Sequence, residues 1–184
     1  MSMLRSILGI VFVMVGAIVL PRKGSAATPA TVVEARIQAA AGPVQAGSAV
    51  KADIVAQIVP GYHINDHHPS LDYLIPTKVS LRPVDEVTVE KINYPAGKLQ
   101  KLAFADNPIS VYEGKLVIQV VLRVRPGAKP GVYIVQGKLA YQACNDRACL
   151  APTSVPLSLR ITVIDRKASP RAEAAQPNRY ASRG

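Results

Sequence analysis

Between residues 30 and 165 the chain is written in a period of two. Val50, Ala52, Ile54, Ala56 and Ile58 alternate with Lys51, Asp53 and Gln57. Leu116, Ile118, Val120, Leu122 and Val124 alternate with Lys115, Gln119, Arg123 and Arg125. Leu157, Leu159, Ile161 and Val163 alternate with Ser158, Arg160 and Thr162. Alternation of this kind puts one set of side chains on the buried face of a sheet and the other in water. Further strands are expected near 32–40, 74–82, 86–93, 98–104 and 131–143, and no stretch of this region has helical spacing with a good cap. Gly42-Pro43, Pro60-Gly61, Pro95-Ala96-Gly97, Glu113-Gly114, Pro126-Gly127 and Pro130-Gly131 fall between the runs as turn signals. Some eight short strands so spaced predict an all-β fold of two packed antiparallel sheets. An immunoglobulin-like antiparallel β-sandwich is favoured, with a closed β-barrel as the alternative that pattern leaves open.

The two ends depart from this pattern. Ile7–Leu20 is an unbroken apolar run of 14 residues after Arg5, followed by Pro21 and the small residues Gly24-Ser25-Ala26-Ala27. The run is shorter than the roughly 17–25 residues of a membrane span and reads as a secretory signal over residues 1–26. Arg22 and Lys23 keep an uncleaved anchor as the alternative, the one form in which the chain would touch a membrane. Residues 166–184 have no apolar period and read as a basic, disordered tail. The domain proper is therefore placed at 27–165. Apportioning the formal net charge of +10 changes its meaning, since the first 26 residues carry +3 and the last 19 carry +4. The central region is only +3, so a nucleic-acid-binding face has little support. An exported domain is one in which disulfides persist.

Cys144 and Cys149 are the only cysteines, in Tyr141-Gln-Ala-Cys-Asn-Asp-Arg-Ala-Cys-Leu-Ala-Pro152, where one strand ends before the next begins. Facing each other across a four-residue loop, their Cα atoms would lie about 4.5–5.5 Å apart, within disulfide reach. A structural staple closing so short a loop contributes about 2 kcal/mol, against about 5 for a loop of 100 residues. A redox pair needs exposure and a stabilised thiolate; a loop tip supplies the first, while Arg147 favours and Asp146 opposes the second. Spacing alone leaves both readings open.

The stretch Lys138–Pro152 resembles the active-site hairpin of the amino-terminal periplasmic domain of DsbD, the thiol:disulfide interchange protein. Three further segments agree in order: Pro60-Gly-Tyr-His-Ile-Asn65 with Tyr73-Leu-Ile-Pro-Thr77, Tyr94-Pro-Ala-Gly-Lys98, and Ser110-Val-Tyr-Glu-Gly114. The resemblance covers residues 32–164 and implies an immunoglobulin-like domain whose disulfide takes electrons from a thioredoxin-like donor. Such domains pass them to oxidised periplasmic proteins or cytochrome c maturation partners. It implies that Cys149 is attacked to form the mixed disulfide and that Cys144 resolves it. Its cap loop would fall around Phe104–Ile109, with Asp106 retained and Pro108 and Ile109 standing where an aromatic cap is expected. By the same carry-over His63 and Asn65 neighbour the disulfide and Tyr141 supports its hairpin.

His63, His67 and His68 with Asp66 and Asp72 also have the residue types of a Zn²⁺ or Cu²⁺ site, against the plainer reading of a polar loop. No nucleophile elbow, phosphate loop or Cys-x-x-Cys occurs, and no cofactor is expected. The reading is thus a redox relay through Cys144 and Cys149, with its reductant, a thioredoxin-like protein or membrane electron carrier, supplied in trans. The alternatives are a binding module with a structural disulfide and an exported metal-binding protein.

Overall fold

The computed structural model describes residues 31–40, 42–102 and 105–165. The expected signal segment, the basic tail and Phe104 lie outside the described residues. In chain order the strands are β1 (Val33–Ala39), β2 (Val44–Gln45), β3 (Ala49–Ile58), β4 (His63–Asn65), β5 (Lys78–Arg82) and β6 (Val87–Asn93). They continue as β7 (Lys98–Gln100), β8 (Ile109–Tyr112), β9 (Lys115–Val124), β10 (Gly131–Tyr141), β11 (Ala143–Cys144) and β12 (Thr153–Ile164). No helix occurs among the described residues.

Two four-stranded sheets, ordered β1-β3-β9-β6 and β2-β12-β10-β5, form an immunoglobulin-like sandwich. Pairing is antiparallel except where β2 runs parallel to the end of β12. The alternating positions do what their period requires. Ile54 pairs with Ile118, Ala52 with Val120 and Val50 with Leu122, and all six side chains are buried. Val135 pairs with Leu159 in the facing sheet, and residues of both sheets belong to one apolar core. The strands close into no barrel among the described residues; they form separate sheets, because the inward faces of two of them bury each other.

A third four-stranded sheet, ordered β11-β4-β8-β7, was not expected from the pattern. Its members are two to four residues long, too short to show alternation. The expected strand at 74–82 begins only at Lys78, and the one at 98–104 ends at Gln100. Pro60-Gly61 creates the third sheet. Gly61 has φ of 83°, and the Tyr62 N–H donates to the Val59 carbonyl at 3.1 Å. Proline then glycine at the two central positions is the chemistry of a type II turn. The turn takes the chain out of β3 and into β4.

Candidate functional site

The cysteine hairpin is an excursion between β10 and β12. Tyr141, the last residue of β10, is buried in the main core opposite Thr153, and burial raises its phenol pKa. The next residues leave the sheet. Ala143 and Cys144 pair with Ile64 and His63 of β4, so β4 receives the hairpin. Its two arms are joined by the Leu150 N–H to the Ala143 carbonyl at 2.8 Å and the Asn145 N–H to the Ala148 carbonyl at 3.0 Å. These bonds flank the 144/149 pair and leave it the narrow, non-hydrogen-bonded kind, in which Cα atoms come closest. The observed Cα separation is 3.9 Å, below the expected range, and the sulfurs are bonded. Asn145 shapes the tip: its Oδ1 accepts from the backbone N–H of Arg147 at 2.9 Å and of Ala148 at 3.0 Å. Arg147 is exposed there.

The two sulfurs do not share one environment. Cys144 has no exposed surface, whereas Cys149 is exposed, as is Leu150 beside it. The solvent-facing side of the pair is therefore that of Cys149.

Period two also sorts the third sheet. Ile64, Tyr112 and Ala143 face the main core. The register places Cys144, His63, Asn65, Val111 and Ile109 on the opposite face. Leu74, Leu102 and Ala105 pack with Ile109 and Val111 as a second apolar cluster, so Leu102 and Ala105 lie on the face that carries Cys144. Lys101 Nζ donates to the Asp106 carbonyl. The cap residues proposed from the resemblance take different places. Asp106 and Pro108 are exposed, and Ile109 is the first residue of β8 and wholly buried.

His63 and Asn65 are both brought beside the hairpin. His63 is 3% exposed, and its Nε2 has no hydrogen-bond partner among the described residues. Burial lowers its pKa from the usual histidine value, against the carboxylates of Glu113 and Asp146, which pull it up. Asn65 is wholly buried; its Nδ2 donates to the Ile75 carbonyl at 2.9 Å, and its Oδ1 is unpartnered. Thr77 Oγ1 donates to the Asn65 carbonyl at 2.6 Å.

The other two histidines belong elsewhere. His67 stacks on Tyr94 with ring centroids 3.7 Å apart, and its Nδ1–H donates to the Thr77 carbonyl at 2.9 Å. His68 is exposed and edge-on to His67. Among the described residues no three His, Cys, Asp or Glu side chains are grouped to hold a metal ion; His63 is buried in β4, whereas His67 and His68 lie in the loop that follows it.

Sequence reading missed Asp66 as an organising residue. It accepts from Ser110 Oγ at 2.6 Å, Tyr112 OH at 2.8 Å, the Gly97 N–H at 3.0 Å and the His68 N–H at 3.2 Å. Burial would raise its pKa, but these four bonds outweigh it and hold the carboxyl below its usual value. The network fastens the end of β4 to β8 and so holds His63–Asn65 against the hairpin. A signal existed in the spacing of Ser110 and Tyr112, two apart on one strand and hence on one face.

The family model described as the N-terminal domain of the thiol:disulfide interchange protein DsbD matches residues 29–159. The N-terminal periplasmic domain of ScsB from Proteus mirabilis is 15% identical with a TM-score of 0.46, over 69% of this chain and 44% of that one. The chain thus spans under half of that structure. The reduced N-terminal domain of DsbD from Neisseria meningitidis is 16% identical with a TM-score of 0.39, over 65% of this chain and 80% of that one. The seventh ScaB type I cohesin from Pseudobacteroides cellulosolvens is 13% identical with a TM-score of 0.44, over 81% and 98% of the two chains. No curated protein matches.

Proposed function

From the premise that this chain belongs to the family of the N-terminal domain of the thiol:disulfide interchange protein DsbD, we propose that it is a periplasmic relay passing two electrons through Cys144 and Cys149. Its donor is a thioredoxin-like protein or a membrane electron carrier in trans, and its clients are oxidised periplasmic proteins, cytochrome c maturation partners among them. Export is supported by the apolar run Ile7–Leu20 and by the family. The observation that carries the relay is the asymmetry of the pair, one cysteine exposed and the other without exposed surface.

A donor thiolate attacks Cys149 Sγ in line; a bond forms between those sulfurs, the Cys144–Cys149 bond breaks, and its electron pair stays on Cys144. The donor's second thiolate then attacks the donor sulfur of the mixed disulfide and releases Cys149. The donor leaves oxidised, and two protons come to rest on the pair. With a client the sequence reverses: Cys149 attacks the client's disulfide, and Cys144 attacks Cys149 to release the reduced client. Access along the bond is the main requirement, and the exposed Cys149 meets it. Asn145 also shapes the loop, through hydrogen bonds that do not involve the sulfurs.

The test is to trap the intermediate. Cys144→Ala leaves Cys149 without its resolving partner. Incubated with an oxidised thioredoxin-fold protein, it is expected to accumulate a mixed disulfide that dithiothreitol dissolves, while Cys149→Ala accumulates none. If Cys144→Ala stays unmodified under conditions where the oxidised thioredoxin-fold protein reacts with other thiols, the pair is a structural clip.

A further inference from the structure

The relay reading leaves one chemical problem, on which this inference rests: where the negative charge goes when the bond opens. The departing electron pair lands on Cys144, which has no exposed surface, so water cannot solvate the thiolate. An apolar site raises the pKa of a thiol, and a leaving thiol of raised pKa leaves slowly.

The third sheet sets one group against that sulfur. His63 lies directly opposite Cys144 in the β4–β11 register. Opposed residues on antiparallel strands share a face, with Cβ atoms about 4.5–5.5 Å apart. The ring is buried, and Nε2 donates to nothing among the described residues. An orphaned polar atom at such a depth calls for an explanation. Other nearby groups are unsuited to an anion. The unpartnered atom of Asn65 is an oxygen, an acceptor, while its amide nitrogen is engaged by Ile75. The Thr77 hydroxyl is committed to the Asn65 carbonyl. Asp146 on the hairpin and Glu113 after β8 bring negative charge towards the imidazole. Arg147 is exposed at the loop tip.

We propose that His63 stabilises the departing Cys144 sulfur, its Nε2–H donating a hydrogen bond to the thiolate as the disulfide opens. The ring stays neutral, one S–S bond forms as another breaks, and the only reductant is the attacking thiol. Asn65 Oδ1 on the same face could not do this, since it has no hydrogen to give.

The experiment isolates the leaving sulfur. In Cys149→Ser, Cys144 is the only thiol, and its ionisation is followed by ultraviolet thiolate absorbance against pH. Adding His63→Met, similar in bulk but without a donor, is expected to move that titration up by about one pH unit, a tenfold loss of thiolate at fixed pH. His63→Gln, which keeps an N–H, is expected to stay near the parent. With both cysteines present, His63→Met is expected to slow reduction by dithiothreitol about tenfold. Titrations of His63→Met and parent that coincide overturn the proposal. Should His63→Met not fold, the ¹⁵N shift of Nε2 in Cys149→Ser decides: it must move with Cys144 ionisation, and a flat shift sinks the idea. Dithiothreitol stands in for the protein donor, so failure to trap a client would leave these readouts intact.

Discussion

At the scale of single residues, a buried histidine and a half-buried aspartate give this domain an acid response in two separate windows. His63 has a lowered pKa in the folded state because burial disfavours the imidazolium. Above about pH 6.5 the ring is neutral both folded and unfolded, and it costs nothing. Below that, the unfolded chain binds a proton that the folded ring resists, so stability falls until the folded ring also protonates. Asp66 is likewise lowered, burial notwithstanding, by bonds from Ser110, Tyr112, His68 and Gly97. Its contribution is complete above the usual carboxylate value of about 3.9 and is lost as pH falls through the folded value. Urea midpoints measured from pH 8 to 3 should therefore fall in two stages. His63→Gln should flatten the upper stage, and Asp66→Asn the lower one while also weakening the fold at neutral pH. A wild-type profile with no loss between pH 6.5 and 5 would contradict the His63 assignment. His63 was legible in the sequence as part of a matching segment and of a histidine cluster, but not as the partner of Cys144, because its environment comes from strands distant in the chain.

At the scale of elements, period two explains most of the long strands and predicts how they fail. Ile118 is wholly buried in β9, and its neighbour Gln119 points outward. Ile118→Ala should cost about 2–5 kcal/mol by removing core contacts and leaving a cavity. Gln119→Ala should stay within about 0.5 kcal/mol. Equal losses from equilibrium denaturation of the two variants would mean that the faces are assigned wrongly. Pairing in the second sheet also depends on a close approach that no hydrophobicity pattern records. A Cβ at Gly137 in β10 would collide with the Ser80 carbonyl oxygen and Leu81 of β5. β4, β8 and β11 were the illegible elements. Each is too short to complete two alternations, and each forms because another strand presents a free edge to it.

At the scale of the whole molecule, the proposed relay requires a domain that stays folded in both redox states, and the architecture is suited to that. The disulfide closes six residues at the tip of an excursion, whereas the core lies between two large sheets. Reduction should therefore lower stability by about 2 kcal/mol and leave cooperative unfolding intact. Thermal melts with and without dithiothreitol check this; loss of the transition on reduction would mean that the bond carries the fold. The chain alone determined the β class, the faces of β3, β9 and β12, and the adjacency of Cys144 and Cys149, because each follows from side-chain period or from separation along the backbone. Only tertiary structure decided that Cys144 is buried while Cys149 is exposed, that His63 rather than His67 or His68 pairs with Cys144, and that Asp66 fastens β4 to β8. Those outcomes depend on which strand edges meet across tens of residues, and register between distant strands is set by the packing of the whole sandwich rather than by any local run of residues.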